Sequence, residues 1–449
     1  MKLKLSCLFL FFIAFSANAN NVFKVSESAK GISSLASDVA INSYGESLIV
    51  WTSVDVTTSA DDTNRWVSAR VIDAESNPIT DIFSIPIPQG YYTDQIRPAI
   101  FDDGSIVIAW ALNSNLMPED DGYNYPAIYA QKFDISGNPV GEQSVVAVSE
   151  QGAYPRWFQN LDISYSPDSE MNVYCLSWSL PGEYIEDDEE YNVYVHSTCK
   201  STIFPNYDGR LFFDKDLKCT YEHCTDQVLA HPGSPIVALD YSGEIHSVLS
   251  TAVSTDFYTI FDGEPDFITR LVDMHSNGNL TVVLWSLEES NKRNDDVFDE
   301  EGIYARVVDL SGEPVTDIIK VADANIYGPS DANVAMYSDG SFVVIENEAY
   351  YVVYSATGEV IMPLARFVDP NSEYHSNINS CSFDINSEDQ IIMSFDSSYS
   401  DIYAAQTFQD LSIIDVAKNS ETDSSGSGGC LSLTALVLLL GLAFIRINK

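Results

Sequence analysis

A segment of four short strands recurs along most of this chain, and that recurrence limits the fold more than any other feature. VAINSYGESLIVWTS from Val39 matches PAIFDDGSIVIAWAL from Pro98, NGNLTVVLWSL from Asn277 and VAMYSDGSFVVIENE from Val334. Each reads as a strand, a turn of Gly or Asp, and a β-branched strand. In the first three the second strand ends at Trp51, Trp110 or Trp285, and Trp178 ends a related strand in VYCLSW. After a variable gap comes a third strand, in VSARVIDAESNPITD at Val67, IYAQKFDISGNPVGE at Ile128 and IYARVVDLSGEPVTD at Ile303. Its Asp, Ser, Gly, Asn and Pro residues make a tight turn into a fourth strand such as FSIPI or IIKVA.

Weaker copies fill the intervals: NLDISYSPDSEMNVYCLSW with NVYVHSTC, PIVALDYSGEIHSVLS with FYTIFDGEPDFI, and SFDINSEDQIIMSF with IYAAQTF. The expected fold is therefore all-β, a β-propeller of seven four-stranded blades over residues 20–417, because radial closure leaves few exposed strand edges. The segment Val22 to Ser26 reads as a fourth strand, whereas the last unit has three clear strands and only LSIIDVA beyond. The N-terminal strand is thus expected to complete the last blade. The repeat resembles that of secreted bacterial propeller proteins, a likeness that implies an architecture and no activity. The repeated Trp residues, at equivalent strand ends, are read as packing between blades rather than as carbohydrate-stacking platforms.

The two ends read as sorting signals. Lys2 and Lys4 precede the apolar run LSCLFLFFIAF and then Ala17-Asn18-Ala19, a signal-peptidase site with cleavage expected after Ala19, so residues 1–19 are assigned as a signal peptide. Cys7 lies in the apolar run without a lipobox. Beyond Val416 the composition turns polar, a tether over residues 418–429. Gly428, Gly429 and Cys430 then lead into LSLTALVLLLGLAFI and the basic residues Arg446 and Lys449, a short membrane segment over residues 430–449. This tail resembles the GlyGly-CTERM class of bacterial surface-sorting signals, which implies an exported, cell-surface protein, membrane-anchored before an intramembrane protease cuts near the glycines.

The formal net charge of −44 becomes −48 once Lys2, Lys4, Arg446 and Lys449 leave with the two signals. Nucleic acid and anionic lipid are excluded as partners by repulsion on that scale. Solubility in salty water is a sufficient reason for such acidity. With 45% hydrophobic residues and 25 Tyr the chain can still bury a large core.

Acidic residues concentrate between second and third strands: Asp61 and Asp62, Asp120 and Asp121, Asp187 and Asp188, Asp295 and Asp296. In a propeller these loops share one face, giving a candidate rim for a cation, with calcium as the possible cofactor, or for a ligand. Solvated charge alone is the competing reading, since no loop has the EF-hand pattern. Arg97 and Arg156 precede first strands and could face the channel mouth. No G-x-S-x-G, H-E-x-x-H, P-loop or G-x-G-x-x-G motif is present, and His196, His223, His231, His246, His275 and His375 lack metal-ligand spacing. In an oxidising compartment Cys219 and Cys224 are expected to form one disulfide and Cys175 and Cys199 a second; zinc held by Cys219, Cys224 and His223 is the competing assignment. Together these features predict a binding or scaffold module for a surface glycan or protein ligand. The alternative is a polysaccharide-active hydrolase or lyase using rim carboxylates, and a purely structural surface protein is the third reading.

Overall fold

The computed structural model describes residues 21–26, 31–57, 64–88, 91–93, 95–114, 126–148, 159–165, 172–185, 190–202, 217–220, 228–229, 236–239, 245–248, 257–261, 267–289, 301–323, 332–346, 350–366, 378–397 and 401–407. All lie in one compact unit, Asn18–Asp410. The predicted signal peptide with Ala19, the tether with Gly428 and Gly429, and the segment from Cys430 lie outside the described residues. Among the described residues no helix is long and apolar enough to cross a membrane.

The unit is an all-β propeller. Strand β1 (Asn21–Lys24) precedes the first sheet, β2 (Ile32–Ile41), β3 (Ser47–Asp55), β4 (Arg65–Ile72) and β5 (Phe83–Pro86). The second contains β6 (Tyr91–Tyr92), β7 (Ile96–Ile100), β8 (Ile106–Ser114), β9 (Ala127–Phe133) and β10 (Ser144–Val148). The third contains β11 (Gln159–Tyr165), β12 (Val173–Ile185), β13 (Glu190–Ser201) and β14 (Leu217–Thr220). A small fourth contains β15 (Val228–Leu229), β16 (Ile236–Leu239), β17 (Ile245–Val248) and β18 (Phe257–Phe261). The fifth contains β19 (Phe267–Ser276), β20 (Leu280–Glu289), β21 (Gly302–Asp309) and β22 (Ile319–Asp323), and the sixth β23 (Asn333–Met336), β24 (Phe342–Glu346), β25 (Tyr350–Tyr354) and β26 (Val360–Arg366). The last contains β27 (Ile378–Ile385), β28 (Ile391–Ser397) and β29 (Asp401–Thr407), with β1 added at its outer edge in the order β1-β29-β28-β27.

Seven four-stranded blades were expected, and that count needs correcting to six. Six sheets are well developed, whereas the fourth has strands of only two to five residues. Its hairpin β16–β17, expected as first and second strands, occupies the second and third places, because Val228–Leu229 takes the first. The weakest copy of the repeat thus forms the smallest sheet.

The ring closes through the chain ends. β1 pairs antiparallel with β29, Val22 opposite Ala405 and Lys24 opposite Tyr403. The pairing extends through Val25 and Ser26, whose amides donate to the Ile402 carbonyl, while the Ile402 amide donates to the Ser26 hydroxyl at 2.8 Å. Val25 is buried at 1% exposure, and its carbonyl accepts from Arg70 Nη1 of the first sheet.

First strands pack against first strands of neighbouring sheets, β7 on β2, β11 on β7, β23 on β19 and β27 on β2 and β23, so they line the propeller axis. The apolar faces of successive sheets make the core. Trp51, Trp110 and Trp285 are at most 1% exposed and Trp178 is also buried, which supports the packing reading. Two of these rings stack on a cross-strand Tyr of the third strand, Trp110 on Tyr129 and Trp285 on Tyr304, and Phe395 repeats the pair with Tyr403. The turn after β2 reverses at Gly45 (φ 80°), a backbone state that a Cβ disfavours.

Candidate functional site at the propeller axis

Strand register reveals a recurrent position on the axis. Asp38 lies opposite Val50, Arg97 opposite Ala109, Asp162 opposite Ser177 and Asp273 opposite Leu284, each partner standing just before the Trp of its second strand. Ser382, opposite Ser394 and so just before Phe395, takes the same place in the last sheet. Asn333 takes it in the sixth, since Asn333 to Gly340 repeats the spacing of Asp38 to Gly45. One residue from each well-developed sheet thus reaches the axis at one level.

Irregular backbone aims these side chains. Register shifts precede the position at Leu35/Asp38, Gln159/Asp162, Leu271/Asp273 and Ile378/Cys381. A bulge bends a strand and redirects its next side chain. The bulge in β2 holds Ala36 at φ 51°, a strained state for a residue with a Cβ. Each Asp then accepts the amide of the residue after it: Val39 at 2.8 Å, Ile163 at 2.8 Å and Met274 at 2.7 Å.

The ring is held by ionic and hydrogen-bonded contacts between sheets. Arg97 Nη1 lies 3.5 Å from Asp38 Oδ2 and its Nε 3.8 Å from Asp162 Oδ1, and Nη1 also donates to the Ile96 carbonyl at 3.0 Å. The Ser382 hydroxyl donates to Asp38 Oδ1. Asp273 Oδ2 accepts the Val334 amide at 2.7 Å, joining the fifth sheet to the sixth. Asn333 Nδ2 donates to the Cys381 carbonyl at 3.2 Å.

Towards the ends of the first strands, the axis is crossed by Tyr165. Its hydroxyl, from the third sheet, lies 3.0 Å from the Ile41 carbonyl of the first and 2.8 Å from Asp384 Oδ2 of the last, one of which takes its single proton, and it accepts the Ile41 amide at 3.0 Å. These sheets are not neighbours of the third, so the side chain spans the axis. Asp384 Oδ2 also accepts the Ile41 amide at 3.0 Å, and its Oδ1 faces His275 Nε2 at 3.8 Å. The Met336 amide donates to His275 Nδ1 at 3.2 Å, which in the neutral imidazole leaves the proton on Nε2. Among the described residues these groups outline an axial cup, with Tyr165 at its floor and the Asp, Arg, Asn and Ser ring above.

Enclosure raises the proton affinity of the ring. Burial pushes Asp162 up to about 6, opposed by Arg97 and reinforced by Asp38, and pushes Asp273 up to about 7, reinforced by Asp162. Asp38 is also raised by burial, against the pull of Arg97. Burial, and then the Asp384 charge, hold Tyr165 well above the ordinary phenol value, so the floor stays neutral. Carboxyls that exchange protons near neutrality beside hydrogen-bond donors suit binding of hydroxyl groups and acid–base chemistry alike.

Of the residues picked out by sequence, Arg97 stands in this ring. Asp61, Asp62, Asp120, Asp121, Asp187, Asp188, Asp295, Asp296 and Arg156 lie outside the described residues. So does Cys224, while Cys219 is placed in β14 opposite Tyr191. Cys175 and Cys199 are direct register partners across β12 and β13. No group of three His, Cys, Asp or Glu among the described residues could hold a metal ion. Sequence reasoning passed over Asp38, Asp162 and Asp273 because each is a lone Asp at a different distance from its turn. Aligning them on the Trp across the hairpin is the signal that finds them.

No family model matches the chain, and no curated protein matches its sequence. Solved structures of similar shape include an α-L-arabinanase of Penicillium chrysogenum complexed with arabinobiose, at 9% identity and a TM-score of 0.46, covering 87% of this chain and 97% of that one. An α-L-arabinofuranosidase from Fusarium graminearum has 10% identity and a TM-score of 0.41, covering 71% of this chain and 95% of that one. A protein from Dyadobacter fermentans has 12% identity and a TM-score of 0.39, covering 76% and 96%. At such distances these likenesses concern shape alone.

Proposed function

We propose that this protein is an exported, cell-surface-anchored propeller that binds a polyhydroxylated, saccharide-type ligand in its axial cup. The supporting observation is the ring of Asp38, Arg97, Asp162, Asp273, Asn333 and Ser382 above the Tyr165 hydroxyl. It combines acceptors with donors, as hydroxyl groups require, and preformed concave sites with a few convergent polar groups are where small ligands bind. In this reading the small fourth sheet serves as a seventh blade, and a disulfide joins Cys175 to Cys199, whose direct opposition across two strands matches the Cα separation a disulfide needs. The sorting protease expected from the tail would then decide whether the cup remains tethered or is released.

The experiment is a glycan array probed with the full-length protein and with Arg97→Ala. Binding to a defined set of glycans that the variant loses by about tenfold or more supports the reading. Binding that Arg97→Ala leaves intact moves the ligand elsewhere, and no binding to any glycan ends the proposal.

A hydrolase is the second reading, favoured by the two enclosed carboxyls, Asp162 and Asp273, whose proton affinities reach towards neutrality. It moves the chemistry from the acidic loops to the axis. Turnover of a bound glycan, abolished by Asp273→Asn while binding persists, would establish it.

A further inference from the structure

Among the described residues, carboxyl groups outnumber cations in the axial cup. Asp38, Asp162 and Asp273 share the ring level and Asp384 lies at the floor, against the Arg97 guanidinium, with His275 Nε2 facing Asp384. Arg97 serves both Asp38 and Asp162 at 3.5 and 3.8 Å, longer than the roughly 2.8 Å of a strong charge-assisted bond. Its Nη2 has no hydrogen-bond partner among the described residues. Among the described residues, Asp273 has only the amides of Met274 and Val334 and no ion pair. Next to Asp38, the buried Ser37 hydroxyl has no hydrogen-bond partner among the described residues.

Enclosed carboxylates without a matching cation take up a proton or a counter-ion. Asp162 and Asp273 do the former, holding protons to about pH 6 and about pH 7. The ring's donors are partly committed, since Ser382 is bonded to Asp38 and Asn333 to the Cys381 carbonyl. Among the described residues, what the cup lacks is therefore positive charge, and what it offers besides is acceptors for hydroxyl groups.

We propose that the axial cup selects an amine-bearing saccharide, with the ammonium group against Asp273 and Asp162 and sugar hydroxyls on Asp38 and Arg97. This rests on the saccharide-binding reading and narrows its ligand. An ammonium ion displaces the proton from each carboxyl it meets, leaving a carboxylate–ammonium pair and a proton released to solvent. Sugar acids are disfavoured twice, by the local excess of carboxylates and by the −44 charge of the whole chain.

The test titrates the full-length protein in detergent, at about pH 6.5, with glucosamine oligomers, the same oligomers N-acetylated, and galacturonate oligomers. At that pH a free amine is charged and the two ring carboxyls are still partly protonated. The glucosamine form is expected to bind at least about tenfold more tightly than the acetylated form, about 1.4 kcal/mol. Its heat of binding should vary with the ionisation enthalpy of the buffer, as proton release requires. Asp273→Asn should abolish the preference, bringing the amine and acetylated forms to equal affinity. Equal binding of amine and acetylated forms overturns the charge selection and leaves saccharide binding standing. A preference that survives Asp273→Asn also overturns it, since the general acidity of the surface then provides the attraction. If none of the oligomers binds, the underlying reading falls with it.

Discussion

Tyr165 shows how much one hydroxyl can settle. A Tyr in the inner strand of one sheet would ordinarily pack against the next sheet, and its ring does meet Phe101 edge-on at 5.7 Å. The hydroxyl instead reaches across the axis to two sheets that flank the closure of the ring. Tyr165→Phe keeps the ring and removes the hydroxyl that gives its one proton to the Ile41 carbonyl or Asp384 Oδ2 and accepts the Ile41 amide, leaving these groups less well satisfied in a partly buried place. The expected cost is about 1 to 3 kcal/mol, read as a lower denaturant midpoint at unchanged slope. An unchanged midpoint would mean that the hydroxyl does not bridge the axis.

Strands and sheets were largely legible, because a period-2 pattern between turn residues marks strands wherever it occurs, and the Trp residues anchored four second strands correctly. Val22 to Ser26 was recognisable as a strand for the same reason. Apart from Arg97, the candidate site was not legible, because axial position depends on bulges such as Leu35/Asp38, and one extra residue changes the face to which Asp38 points without changing the pattern around it. The acidic loops drew attention by density of charge, whereas the axial residues act by convergence from separate sheets. Deleting residues 21–26 belongs to this scale. It removes the whole outer strand of the last sheet, the buried Val25 side chain and the Arg70 bond to the Val25 carbonyl. A loss on the order of 5 kcal/mol follows from one buried aliphatic side chain and several backbone bonds. It is measured as a lower melting temperature, and a melting temperature equal to that of the intact protein would show that the ring closes without this strand.

For the molecule as a whole, stability should pass through a maximum in mildly acidic solution, because two classes of carboxyl act in opposite directions. The turn residues Asp55 and Asp134 are held below the usual carboxylate value by side-chain bonds, from Thr57 and Asn138 respectively. Their contribution is present above the unfolded value near 4 and lost as pH falls. Asp162 and Asp273 are raised, to about 6 and about 7, so the folded state binds protons that the unfolded chain has already released. Their contribution is complete below about 4 and is lost as pH rises through 6 and 7. Ordinary carboxylates have finished titrating by pH 6, so the general repulsion within so acidic a chain adds little slope above that point. Melting temperature is therefore expected to decline between about pH 5.5 and 8 in the natural protein and to stay nearly level in the Asp162→Asn, Asp273→Asn double variant. A decline of equal size in both would assign the pH dependence to the surface charge and deprive the axial carboxyls of their proton-binding role, whereas a level line in the natural protein would place both groups in contact with bulk water.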